Sequence, residues 1–226
     1  MKFRDLAWGA FAVRSTSYES AYQTMITDAD FLARLQNEPS QADFEKIRWF
    51  LVNYGVHYAR KNLAEQYSSI WPRLKPHIRR VANETLETCD LSGREIENEI
   101  TAAYQCLDEV WGGDTVISKV LHFLNTRLFI MWDNPIQLEY KMHSSYGYIE
   151  FLKVMQRHAI EITEDFKGLS LPGTPAEYLS QQLGYSYMRP LTKLIDDYNW
   201  ITITRSWPKS MPRWLLVLHS PPASSL

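Results

Sequence analysis

Cysteine is nearly absent from this 226-residue chain. Cys89 and Cys106 have no C-x-x-C spacing, which excludes a disulfide scaffold and a zinc or iron–sulfur cage built from cysteines. Free thiols in a cytoplasmic protein are the expectation. Glycine and proline are also scarce, at nine and eleven residues, so disorder is expected only in the Pro/Ser-rich tail 220–226. Net charge is −2, which gives no global argument for nucleic acid. No apolar run reaches the roughly 20 residues a membrane helix needs. The N-terminal stretch Leu6–Val13 is short, follows Asp5 and is closed by Arg14 with no small-residue cleavage site, so it is not read as a signal peptide. The phosphate loop G-x-x-x-x-G-K-[ST], the elbow G-x-S-x-G, the zinc motif H-E-x-x-H and a strand-borne G-x-G-x-x-G are all missing. No cofactor is expected.

Aromatic residues are plentiful, with eight Trp and thirteen Tyr, and helical periodicity dominates. A first helix is expected over Ser17–Gln36. Ser40 to Asp43 resembles a capping box, followed by Phe44, Ile47, Phe50 and Leu51 on one face and a glycine stop at Gly55. A helix over Tyr58–Ser68 is expected to break at Pro72 and Pro76, with another running from His77 to Thr88. Ser92 to Glu95 reads as a second capping box, opening a helix with Ile96, Ile100, Ala103, Leu107 and Val110 along one side. Further helices are expected over Thr115–Leu124, Ser145–Phe166 and Thr174–Gln182, and another opened by Pro190 with Leu191, Leu194, Ile195 and Tyr198. Ile201–Thr204 alternates and is β-branched, so it reads as a strand that Trp214–Leu218 would pair with. The expected class is mainly α: a multi-helix domain over residues 1–219, in two lobes, with a small C-terminal β-hairpin.

Charge is unevenly spread. Arg60, Lys61, Arg73, Lys75, Arg79 and Arg80 lie between His57 and Arg80 against Glu65 alone, whereas the segment from Glu84 to Glu109 holds eight acids and one base, Arg94. Such asymmetry is either an electrostatic footprint or two helix faces that pair with each other. His158 and Glu161 share a helix face, but a helical di-metal site repeats that pattern; one copy reads as a surface pair, and no metal is expected.

Residues 112–136 resemble the helix-hairpin-helix DNA glycosylase superfamily. Its pattern is similar to G-x-G-x-K-T-A-x-x-V-L-x-F, an apolar segment, then D-x-x-V. Gly113 falls on the second hairpin glycine, Val120, Leu121 and Phe123 on V-L-x-F, Asp133 on the aspartate and Ile136 on the apolar position beyond it, without a gap. The segment also resembles uncharacterised bacterial helical proteins. The chain departs from the pattern at Trp111, where the first glycine would stand, and at Thr115, where the lyase lysine would stand; Lys119 comes one helical turn later. The resemblance therefore implies at most a monofunctional hydrolase of the N-glycosidic bond, or a DNA-binding scaffold without catalysis. Asp133 would be the catalytic carboxylate, Trp111, His122 and Trp132 would line the pocket, and Gly112, Gly113, Thr115, Lys119, Arg73, Lys75, Arg79 and Arg80 would meet DNA.

Each residue also has a purely structural reading. Asp133-Asn134-Pro135 is what a helix N-terminus looks like. Gly112-Gly113 suits a C-cap, Lys119 and His122 suit a solvated helix face, and Trp111 and Trp132 suit the core. A helical protein-interaction domain is the non-enzymatic alternative.

Overall fold

The computed structural model describes residues 1–56, 63–111 and 113–208, without the side chains of Leu63, Ala64 and Trp111. The described residues are mainly helical and contain no strand. The order is α1 (Phe3–Val13), α2 (Ser17–Ile26), α3 (Ala29–Asn37), α4 (Gln41–Asn53), α5 (Leu63–Arg80), α6 (Arg94–Trp111), α7 (Asp114–Leu124), α8 (Asn134–Tyr140), α9 (Ser144–Gly168), α10 (Pro175–Gln182) and α11 (Leu191–Asn199), followed by a π-helical turn over Trp200–Thr204. One continuous apolar core runs from Phe3 to Ile195. No helix among the described residues is long and apolar enough to cross a membrane.

Local signals placed several helices well. Ser40 and Asp43 form the reciprocal box that opens α4, and Thr174 and Glu177 do the same for α10. Gly55 closes α4 at φ 79°, a conformation that costs an L side chain steric strain. Three expectations need correction. The first helix splits at Thr27, because the Asp28 side chain accepts the Phe31 N–H and starts α3. α5 runs straight through Pro72 and Pro76. Each proline removes one backbone donor, but both are exposed while Tyr67, Ile70, Leu74 and Ile78 are buried. Packing of that apolar face, along the long contact with α6, outweighs two lost hydrogen bonds. Ser92 does not cap α6, which opens at Arg94 with Gly93 O accepting the Glu97 N–H.

The expected strand Ile201–Thr204 is instead the π-helical turn that extends α11. Arg205 N–H reaches back to Trp200 O at 2.9 Å, and Thr202 Oγ1 donates to Tyr198 O at 2.7 Å. Its expected partner, Trp214–Leu218, and the tail 220–226 lie outside the described residues, as does the start of the Tyr58 helix. α7 lies at the centre, with every residue from Val116 to Leu124 buried. α1 crosses α11 closely at Gly9, where an added Cβ would come within 2.7 Å of the Tyr198 backbone.

Candidate functional site

A cavity of about 360 Å³ lies where α7, the N-terminus of α8, α11 and the π-helical turn meet the ends of α1 and α4 and the start of α2. Its position follows from three local facts. α7 presents Thr115 and Lys119 one turn apart. α11 presents Lys193, Asp196 and Asp197, and the π-helical turn that continues it adds Trp200, at spacings of three, four and seven from Lys193, which share one side of a helix. The π-helical turn then swings Thr204 towards α8; such insertions often re-aim side chains at functional sites.

Asp133 is both a cap and a wall of the cavity. Its Oδ1 accepts the Ile136 N–H at 3.1 Å, which opens α8. The Thr204 hydroxyl lies 2.9 Å from Oδ1 and 2.8 Å from Oδ2 and donates to both. A carboxylate offers about four acceptor positions, so the group keeps acceptor capacity beyond these two donors. The capping expectation and the pocket expectation therefore meet in one residue.

Lys119 and His122 do not form a solvated face. Lys119 is 5% exposed and His122 is 0% exposed, because α7 is enclosed on every side. Lys119 lines the cavity. Among the described residues it has no hydrogen bond or ion pair; its ammonium lies 5.9 Å from the centre of the Tyr54 ring. Burial lowers its pKa, opposed by the Asp196 and Asp133 carboxylates. His122 does not border the cavity. Its Nδ1 donates to Phe129 O at 2.7 Å, and Nε2 accepts from the Tyr22 hydroxyl at 2.9 Å. That arrangement needs the neutral ring, and burial takes its pKa down to about 3.

Trp132 is fully buried and is one of the residues lining the cavity. Its Nε1–H donates to Asp114 O at 3.1 Å, and its ring packs on Tyr148 and Phe151. It is a core residue that fixes the strandlike approach to Asp133. The aromatic walls are supplied instead by Tyr18, Tyr54 and Trp200, with Tyr18 centred 4.7 Å from Trp200 and 5.2 Å from Tyr54. Sequence reasoning missed these three residues. It also missed Lys193, Asp196 and Asp197, which fall off the apolar stripe of α11 and so look like a wet face; α11 is buried from Leu191 to Asp197.

Beneath the cavity an ionic cluster joins segments far apart in the chain. Arg189 pairs with Glu19 and, at 2.6 Å, with Asp197. Lys193 pairs with Asp196 and, at 2.5 Å, with Asp197. Burial pulls the Lys193 pKa down, and its two carboxylate neighbours overcome this and hold it well above the ordinary range. Burial raises the pKa of Asp196.

The expected DNA-facing residues do not gather at the cavity, with the exception of Thr115, whose hydroxyl reaches Asn134 at 3.3 Å, and Lys119. Arg73 makes a two-pronged pair with Glu109, Arg80 pairs with Glu99, and Lys75 lies 3.6 Å from Glu38. The basic and acidic segments thus partly neutralise one another across α5 and α6. Arg79 is exposed and makes no ion pair among the described residues. Gly113 caps α7, and open space surrounds its Cα hydrogens. However, Asp114 in the first turn already places a carboxylate at that helix end, bonded by Tyr104 and by Ser144 N–H. Gly112 and the Trp111 side chain lie outside the described residues. His158 and Glu161 are 3.4 Å apart at the surface of α9.

No known family, curated protein or solved structure matches the chain.

Proposed function

We propose that the cavity receives a nucleobase and that the protein hydrolyses an N-glycosidic bond as a monofunctional, DNA-glycosylase-like enzyme, with Asp133 as the catalytic carboxylate. The observation that supports this reading is the placement of Asp133 on the wall of an aromatic-sided cavity with acceptor capacity to spare. As the C1′–N bond breaks, its electron pair leaves with the base and positive charge builds on the sugar. A fixed carboxylate stabilises that charge most where water is scarce. Water then adds its oxygen to C1′, oriented by Asp133, and the base takes up the proton. Thr204 would hold the carboxylate in place for both steps. Arg205, exposed at the cavity and lying over Trp200 at 5.2 Å and Trp207 at 5.8 Å, is the cation placed to meet a phosphate. In this reading the cavity marks the seam of a two-lobed fold, with Tyr18 and Tyr54 on one side and α7, α8 and α11 on the other.

The test is cleavage of duplexes carrying a panel of damaged bases by the wild type and Asp133→Asn. Asparagine caps a helix as well as aspartate does, so the variant folds, and cleavage should fall by about 100-fold or more. Equal cleavage by both proteins, or none by either, rejects the reading. One observation favours a DNA-binding scaffold without chemistry: capping α8 and receiving Thr204 already give the Asp133 carboxylate a structural role. That reading predicts salt-sensitive DNA binding that Asp133→Asn leaves unchanged.

A further inference from the structure

Two lysines line the cavity on opposite terms. Lys193 is held by Asp196 and Asp197. Lys119 is 5% exposed and has no hydrogen bond or ion pair among the described residues. Its amine is not sealed in. Tyr54 Oη is both unpartnered and closed off from solvent, whereas Lys119 Nζ is not closed off. α7 is buried from Val116 to Leu124, so the surface that Lys119 keeps belongs to the cavity it lines.

We infer that Lys119 is a nucleophilic amine, and that the cavity takes up a neutral aldehyde or ketone carrying a planar group, which condenses with it to an imine. Three features separate this role from ion pairing. A lysine placed to hold a charge has a carboxylate against it, as Lys193 does; Asp133 and Asp196 act on Lys119 only from beyond ion-pair distance. Burial, with the Lys193 charge nearby, favours the neutral amine over the ammonium, against the pull of those two carboxylates. Three cations, Lys119, Lys193 and Arg205, and three carboxylates, Asp133, Asp196 and Asp197, line the cavity. An anion entering there would meet Asp133 and Asp196 beside the amine, whereas a neutral carbonyl compound adds no charge. The nitrogen lone pair attacks the carbonyl carbon while the C=O π pair moves to oxygen. A proton passes from nitrogen to that oxygen, and loss of water leaves C=N; nothing is oxidised or reduced. Scarce water protects the imine from hydrolysis. Tyr18, Tyr54 and Trp200 offer flat walls to a ring, and about 360 Å³ admits a single-ring compound.

The experiment treats the full chain at neutral pH with benzaldehyde and sodium cyanoborohydride, which reduces any imine to a stable secondary amine. Modified lysines are mapped by digestion and mass spectrometry. Lys119 should be modified about tenfold or more faster than the exposed Lys141 and Lys167. The preference should vanish in urea, and should be lost with the para-carboxylate of benzaldehyde, an anion of similar shape. In Asp133→Asn, which keeps the α8 cap, the rise of the Lys119 rate with pH should move to lower pH, because one carboxylate favouring the ammonium is gone. Modification of Lys119 no faster than the exposed lysines, an equal preference for the anionic aldehyde, a preference that survives urea, or an unmoved pH dependence in Asp133→Asn overturns the inference. It does not use the glycosidic reading. Trapping at Lys119 without cleavage of lesion duplexes rejects only that reading; Asp133-dependent cleavage without trapping rejects only this inference.

Discussion

Opposite charges meet in two regions of this molecule, and they do so on different terms. Across α5 and α6, Arg73 pairs with Glu109 and Arg80 with Glu99, and both arginines are more than half exposed. Beneath the cavity, Glu19, Arg189, Asp197, Lys193 and Asp196 form a chain of ion pairs in which no side chain exceeds 8% exposure. Water screens the first set and competes with it, so each pair contributes little. In the second set each charge has lost its hydration and depends on its neighbour, so the pairs add little net stability but removing one member is severe. A buried network of this kind fixes the position of α11, and α11 supplies three of the six charged groups of the cavity: Lys193, Asp196 and Asp197. The surface pairs position nothing that lines it.

The sharpest way to break the comparison is Arg189→Met. Glu19 and Asp197 would remain buried without their shared cation, and the variant should lose about 3–5 kcal/mol of stability, read from urea denaturation. The double variant Arg189→Met with Glu19→Gln should recover part of that loss, since fewer charges are left unpaired. A single-variant loss no larger than that of a surface pair would mean that the cluster is wet.

His122 extends the same buried region to pH. Its pKa is down to about 3 from an ordinary 6.5, chiefly through burial. Between those values the unfolded chain binds a proton that the folded chain refuses, so stability falls as pH falls. The contribution is about 1.4 kcal/mol per pH unit. His122→Gln, which keeps a donor and an acceptor, should flatten the dependence of the urea midpoint between pH 6.5 and pH 4 by one proton's worth. Identical slopes for wild type and variant would show that His122 already carries its proton in the fold.

The two regions also differ in how much of them could be read in advance. The surface pairs are written as a basic run followed by an acidic one, a pattern that itself points to pairing between two helix faces. The caps at Ser40 and Thr174 and the apolar stripe of α7 are likewise local patterns, legible within a few residues. Asp133, Thr115, Lys119 and Trp132 are named by the motif around residues 112–136 and do border the cavity. Tyr18, Tyr54, Lys193, Asp196, Trp200 and Thr204 carry no such signal, because they come together only when α2, α4 and α11 pack. Periodicity misplaced Lys119 and His122 for the same reason: it identifies the first face of a helix to be buried and says nothing of a second. Pro72 and Pro76 misled because local propensity was set against an apolar face whose value depends on α6 being there.

The smallest effect belongs to the surface. Arg73→Ala should leave the urea midpoint within measurement scatter, since an exposed pair trades one set of solvent contacts for another. Its neighbours separate charge that is spoken for from charge that is available. For a duplex bound along α5, Arg79→Ala should lower the slope of log affinity against log salt by about one, because its guanidinium has no competing carboxylate among the described residues. Arg73→Ala should lower it less, because Glu109 holds that guanidinium at 2.7 and 2.8 Å and must be displaced first. Fluorescence anisotropy across a salt series measures both slopes. Equal reductions would show that DNA strips Arg73 from Glu109 at no cost, and the internal pairing of α5 with α6 would then place no limit on the charge available to a nucleic acid.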